Sequence, residues 1–141
     1  MMIALPRPAI TPLTAPYWAA LNEGRLAYQC CQDCGHRWLP PREECPGCLG
    51  PRWKWEQAGG RGRLVSWVVY RVAYHEALRE RLPYNVAVVE LVEGPRLITS
   101  IPDRPDGAGL YMDAPVSMVA VDDGAGQKLA MFRLEETPVP T

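Results

Sequence analysis

The cysteines constrain this chain more than any other feature. Cys30, Cys31 and Cys34 fall within five residues, Cys45 and Cys48 follow, and the 141 residues hold no others. Pairing Cys31 with Cys34 and Cys45 with Cys48 gives two CxxC units separated by ten residues. A CxxC turn aims both sulfurs at one ion while its backbone N–H groups donate to them, and four thiolates so placed most often hold zinc. Gly35, Gly47 and Gly50 supply backbone freedom at or beside the turns, and Pro46 stiffens the second. Four thiolates close the coordination shell, so the expected metal is one structural Zn2+ on Cys31, Cys34, Cys45 and Cys48. Iron in the same cage, as in a rubredoxin-like electron carrier, stays open because a sulfur tetrahedron suits both metals. Cys30 is the spare. A Cys30–Cys34 pair would be CxxxC, which fits the knuckle less well, and a strand neighbour of Cys31 points to the opposite side. The expected role of Cys30 is inert packing.

The rest of the composition is that of a soluble protein, with 48% hydrophobic and 22% charged residues. No apolar run approaches the roughly 18–20 residues of a spanning helix. The start, MMIALPRPAITPLTAP, lacks a basic head and is broken by prolines, so it does not read as a signal peptide. These features give a cytoplasmic expectation, in which clustered cysteines bind metal rather than form disulfides. Residues 1–81 carry 11 Lys/Arg against 7 Asp/Glu, and residues 82–141 carry 4 against 9.

The pattern along the chain predicts a mainly β fold in four parts: an N-terminal arm and helix over 1–25, a rubredoxin-like zinc ribbon over 26–56, a five-stranded OB-fold barrel over 57–136, and a tail at 137–141. Pro6, Pro8 and Pro12 leave residues 1–13 extended. In TAPYWAALNEGR, Thr14 is the expected N-cap, Pro16 sits in the first turn and Gly24 ends the helix. Tyr17, Trp18 and Leu21 form one stripe, which docks either on its own domain or on a partner protein; such aromatic anchors are enriched at interfaces. Leu26 and Tyr28 alternate into the first knuckle, and Trp53 and Trp55 alternate out of the second. From Gly59, GGRGRLVSWVVYRV reads as a long strand with Leu64, Ser66, Val68, Tyr70 and Val72 on one face and Val65, Trp67, Val69 and Arg71 on the other. YNVAVVEL, PRLITSI, APVSMVAV and QKLAMFRL are four further strands separated by turn residues. Five short strands fit an OB barrel, and an SH3-like barrel or open meander satisfies the same pattern. Residues 73–83 form a charged excursion with a helical turn.

No catalytic set is visible. His36 is expected to cap ribbon backbone and His75 to lie solvated in the excursion. The GGRG run precedes a strand rather than a helix, so it is no phosphate loop. Arg61 and Arg63, one face of a strand, with Arg37 and Arg42 in the ribbon, are the available cations for a phosphate-bearing ligand. Single-stranded nucleic acid is a competing ligand for an OB barrel, but a pI near 6.1 and the acidic second half offer it few phosphate contacts.

The ordered set PYWAALNEGRLAYQC, CxxCG at Cys31–Gly35, PPREECPGC, GGRGRLVSWVVY, LPYNVAVVEL and DAPV resembles the zinc-ribbon plus OB-fold family long catalogued as a domain of unknown function, over about residues 15–135. That resemblance implies a non-catalytic accessory subunit of a thiolase-like acyl-CoA enzyme. The ribbon and helix would be docking surfaces, with Tyr17, Trp18 and Leu21 at the interface. The barrel would be a CoA platform using Arg61, Arg63, Arg37 and Arg42. The helix also allows a homodimer. The chain departs from the family pattern at two positions. Asp113 stands where a glycine is usual and should hold the turn, because Asp tolerates left-handed backbone. Leu49 intervenes before Gly50 in the second knuckle.

Overall fold

In the computed structural model, which describes residues 8–135, helix α1 (Ala15–Asn22) leads into a three-stranded sheet and then a five-stranded one. The predicted arm lies partly, and the tail wholly, outside the described residues. Pro16 occupies the first turn of α1, as its fixed φ favours. Thr14 takes the N-cap position without capping: its hydroxyl accepts from the Thr11 N–H at 2.9 Å, so a local Thr11–Thr14 loop replaces the expected cap. At the other end Gly24, at φ +80°, closes the helix. Its N–H donates to the Leu21 carbonyl and that of Arg25 to the Ala20 carbonyl, the paired bonds of a Schellman motif.

The ribbon sheet has the order β2 (Arg37–Trp38), β1 (Ala27–Cys31), β3 (Trp53–Gln57), all antiparallel. β1 is buried on both faces. Tyr28 and Cys30 enter the main core with Leu21, Leu26, Leu64 and Phe132, while Cys31 joins a small cluster with Trp38, Cys45 and the half-buried Trp53. The predicted opposition of Cys30 and Cys31 therefore separates two cores.

The second sheet runs β6 (Arg96–Thr99), β5 (Tyr84–Leu91), β4 (Arg61–Tyr70), β7 (Pro115–Asp122), β8 (Lys128–Leu134). It curls until its edges meet: the Phe132 N–H donates to the Ser100 carbonyl at 3.0 Å and the Thr99 hydroxyl to the Ala130 carbonyl at 2.8 Å. This is the five-stranded OB-fold. One feature corrects the two-face reading of β4. The register with β5 slips between Leu64 and Ser66, leaving Val65 as an extra residue. A bulge exchanges the faces of a strand. Leu64 points inward, and beyond the bulge Trp67, paired with buried Ala87, packs on the core, while Val68 is 55% exposed.

One buried amide fixes what the strands alone leave loose. The Asn85 side chain donates to the carbonyls of Ile101 and Arg104 and accepts from the Ile101 N–H and Ser100 hydroxyl. The excursion forms a 3₁₀ helix (Glu76–Arg81) whose first turn is capped by His75, its Nδ1 accepting from the Ala77 N–H at 3.0 Å. His75 is exposed, but this bond gives it a structural partner. α1 lies on β8 and β1: Leu21 is fully buried, and Asn22 Oδ1 accepts from the Lys128 N–H. No helix among the described residues is long and apolar enough to cross a membrane.

Candidate metal centre and surface sites

Two knuckles face each other with near-twofold regularity. The Cys31 N–H donates to the His36 carbonyl and the Cys45 N–H to the Gly50 carbonyl; Gly35 N–H returns to Cys31 and Leu49 N–H to Cys45. Within each turn two backbone N–H groups point at the first sulfur: Asp33 and Cys34 at Cys31 Sγ, Gly47 and Cys48 at Cys45 Sγ, at 3.3–3.5 Å. The residue after each second cysteine is left-handed, Gly35 at φ +77° and Leu49 at φ +62°. Gly50 is needed for space, since a Cβ there would lie 3.2 Å from Cys48 Sγ and 3.3 Å from an Asp33 oxygen.

The sulfurs of Cys31, Cys34, Cys45 and Cys48 all lie within 4.8 Å of one another. Cys31–Cys48 and Cys34–Cys45 are 3.6 and 3.5 Å apart. A tetrahedron with metal–sulfur bonds of about 2.3 Å has edges of about 3.8 Å, so the cluster fits one zinc. N–H donation, chiefly from Cys34, holds the Cys31 thiol down at about 7. The Cys34 thiol is drawn down by the His36 N–H but driven up overall, to about 12, by its cysteine neighbours and burial. Four thiolates this close need a cation, and a coordinating metal deprotonates thiols outright. Cys30 is outside the cluster. The His36 ring lies flat against Trp38, with centroids 6.0 Å apart, and does not cap the backbone as expected.

The loop between the knuckles is anchored by residues the sequence reading missed. Gln29, fully buried, donates to the Arg42 carbonyl and accepts from the Arg42 N–H at 2.8 and 2.7 Å, and Trp53 Nε1 donates to the Glu43 carbonyl. Gln29 faces the ribbon because strand alternation sets it with Cys31, the one signal that could have marked it.

The four arginines named for a phosphate ligand are dispersed in their bonding. Arg63 is held between Glu90 and Asp113, and Arg61 lies 3.5 Å from Glu135. The Arg37 guanidinium lies 5.9 Å over the Tyr28 ring and donates to the Glu93 carbonyl. Arg42 is exposed. Asp113 has φ +63°, the left-handed conformation expected of it. Of the aromatic stripe, Leu21 is wholly in the core, so only Tyr17 and Trp18 keep accessible surface. Those two form one wall of a groove of about 680 Å³ along the outside of the barrel. Leu78 and Leu82 of the excursion form the other, and Val86, Ile98, Leu129 and Met131 the floor across the β6–β8 seam. Ile98 is 77% exposed. Outward positions of β5 and β8 are apolar where a solvated strand carries polar residues, and that signal was present in YNVAVVEL and KLAMFRL.

Comparison with known proteins follows this division. Residues 18–54 match the family described as ChsH2, rubredoxin-like zinc ribbon domain, and residues 55–121 that described as ChsH2, C-terminal OB-fold domain. A DUF35 domain-containing scaffold protein of Methanocaldococcus jannaschii is 31% identical over 103 residues, covering 68% of this chain and 70% of that one. The chain belongs to the DUF35 family. A solved structure named Ltp2-ChsH2(DUF35) aldolase superposes with a TM-score of 0.76 at 32% identity, over 91% of this chain and 98% of that one. A DUF35 structure from Sulfolobus solfataricus, at 13% identity and TM-score 0.64 over 88% and 86% of the two chains, shares the fold. A probable enoyl-CoA hydratase alpha subunit of Thermomonospora curvata is 38% identical over 96 residues, 68% of this chain. This chain spans only 30% of that subunit's length. DUF35 relatives thus carry names of scaffolds and of enzyme subunits.

Proposed function

We propose that this DUF35 chain is a non-catalytic accessory subunit that docks a thiolase-like acyl-CoA enzyme, with the ribbon zinc as scaffold. The observation that carries the reading is the apolar groove between Tyr17–Trp18 and Leu78–Leu82, open on the outer wall of a closed barrel. Apolar surface of this extent on a small domain marks a protein or ligand interface. The scaffold and subunit names of the relatives support a partner, and the hydratase name supports acyl-CoA chemistry nearby. A metal held by all four sulfurs of the cluster keeps no open ligand position. Under this reading Arg61, Arg63, Arg37 and Arg42 face the CoA side of the complex, with Arg63 the least free. The compartment proposed is the cytoplasm.

The test is retention of an identified thiolase-fold enzyme from a native lysate by the tagged full chain, beside a Trp18→Asp/Ile98→Asp variant that keeps its zinc. The expected result is retention by the wild type and loss in the variant. Retention of no such enzyme, or equal retention by both chains, overturns the proposal.

A further inference from the structure

β3 (Trp53–Gln57) is an outer strand of the ribbon sheet and pairs only with β1. The backbone bonds flanking that ladder show which way its groups turn. The Gln32 N–H donates to the Arg52 carbonyl and the Ala58 N–H to the Leu26 carbonyl, both at 2.8 Å. Bonding alternates along an antiparallel strand, so the even-numbered positions of β3 turn toward β1. Trp53, Trp55 and Gln57 turn their N–H and C=O groups away from the sheet, and these groups take no partner among the described residues.

An exposed strand edge is a template for another strand, and proteins commonly blunt one with lysine. Lys54 stands on this edge with its side chain 61% exposed, but Glu56 follows two residues later on the same face. The run WKWEQ is therefore complementary in charge to itself. In an antiparallel pair of two such strands centred on Trp55, Lys54 meets Glu56 of the second copy, Glu56 meets its Lys54, and Trp53 meets its Gln57. The outward-turned residues then make the hydrogen-bonded pairs. Both charge pairs fall at the positions between them, where opposed Cα atoms are about 4.5 Å apart and side chains lie closest. Slipping the register by two residues sets Lys54 against Lys54 or Glu56 against Glu56, and slipping it by one opposes outward backbone groups to inward ones. Glu56 is already held for this contact. The Tyr28 hydroxyl donates to its Oε2 at 2.9 Å, while its Oε1 reaches Lys54 only at 4.0 Å. Trp55, half-buried, belongs to neither core cluster and packs edge-on against Trp53.

We infer that β3 pairs with β3 of a second copy of this chain, joining the two ribbon sheets about a twofold axis at Trp55. The contact uses neither α1 nor the apolar groove, so it stands apart from the docking proposed above and leaves that groove open. Five residues from each copy make an interface of the transient class, below about 1,200 Å², and the association is weak and reversible.

The test is sedimentation equilibrium of the zinc-loaded full chain across micromolar to millimolar concentrations. Wild type is compared with Lys54→Glu, with Glu56→Lys, with an equimolar mixture of those two, and with Trp18→Asp/Ile98→Asp. Each single exchange sets like charges against each other at both contacts and should weaken self-association about tenfold or more. The mixture should recover an affinity within about threefold of wild type, because each variant now complements the other. The groove variant should dimerise as wild type does. Zinc content and near-UV circular dichroism check that the ribbon is intact, and recovery in the mixture requires folded chains. A wild type that stays monomeric throughout overturns the pairing, and is the result expected if the edge instead receives a strand of the enzyme partner. Undiminished association in the single variants, a mixture that stays monomeric, or a dimer lost in the groove variant also overturns it.

Discussion

Replacing Cys31 with serine removes one corner of the sulfur cluster, and its effect can be sized from what else holds the ribbon. The ribbon's own apolar cluster is Cys31, Trp38 and Cys45 with half-buried Trp53. Fully burying one large apolar side chain contributes about 1.5–3 kcal/mol, whereas ordering each residue of the 32–52 segment costs about 1–2 kcal/mol. A cluster of that size holds only a few residues in place. Structural zinc contributes an apparent 10–16 kcal/mol or so in small zinc peptides, which makes it the dominant support here. Cys31→Ser should therefore bind well below one zinc per chain and lose amide protection at Gly35, Cys45 and Leu49, while the β4–β5 ladder at Ala87 and Val88 stays protected. Cys30→Ser should keep one zinc. Cys30 is 8% exposed, so a hydroxyl there costs about 1–2 kcal/mol; the nearest acceptors, the Cys31 and Gly35 carbonyls, are 3.8 and 4.0 Å from its sulfur. Elemental analysis and native-state hydrogen exchange read both variants. A full zinc in Cys31→Ser, zinc lost in Cys30→Ser, or simultaneous loss of ribbon and barrel protection would refute the reasoning, and iron in the wild type would turn it toward an electron carrier.

The knuckle pseudo-symmetry predicts opposite signs for two glycine exchanges: Gly35→Ala should cost about 1–2 kcal/mol, because its backbone is left-handed. Leu49→Gly should be neutral or stabilising by up to about 1 kcal/mol, since relief of the same strain outweighs roughly 0.5–1 kcal/mol of added chain entropy; thermal unfolding of zinc-loaded protein compares them. Asn85→Ala strands the Ile101 N–H and two carbonyls and should destabilise by about 3 kcal/mol in urea titration, with no loss of zinc. Burial pushes the Tyr17 phenol up to about 12, and burial with the Glu56 hydrogen bond does the same for Tyr28. Unfolded tyrosine ionises near 10, so their contribution to stability is whole below pH about 10 and falls as pH rises toward 12. In a tyrosinate absorbance titration of the folded chain, Tyr17→Phe and Tyr28→Phe should each delete a late-ionising component.

The parts of the fold that were legible in the sequence rest on local rules. Two CxxC turns need no tertiary knowledge to be paired, and strand alternation alone places Cys30 and Cys31 on opposite faces. Asp113 could be assigned a left-handed turn because few residues tolerate one. Strand positions were readable from apolar runs bounded by turn residues, but the faces of β4 were not, since a bulge at Val65 depends on how β5 and the Asp113–Ala114 turn grip Leu64. Gln29 and Asn85 look like ordinary surface amides until the loops they staple are present. Thr14 shows the reverse limit: its chemistry suits a cap, but the Thr11 backbone N–H took its hydroxyl.

β1 also decides how far the metal's influence extends. Its Cys31 side belongs to the knuckles, but its Tyr28 and Cys30 side belongs to the core shared with Leu21 of α1. β1 is additionally paired with β3 over five registered positions, and α1 is tied to β8 through Asn22 and Gln127. The wall of the groove formed by Tyr17 and Trp18 thus hangs on the barrel core rather than on zinc, whereas the exposed tip at Leu49 belongs to the second knuckle, which carries two of the four metal ligands. Chelation should separate the two surfaces. If the partner enzyme docks in the groove, its affinity for the chain should change less than about threefold on removing zinc, because none of the groove's lining residues lies within 32–52. If it docks on the knuckles, chelation should abolish binding, and Leu49→Asp should do the same with zinc still bound. Measuring partner affinity before and after chelator treatment, with zinc content followed in parallel, therefore assigns the docking face; abolished binding together with intact Leu49→Asp binding would contradict both placements.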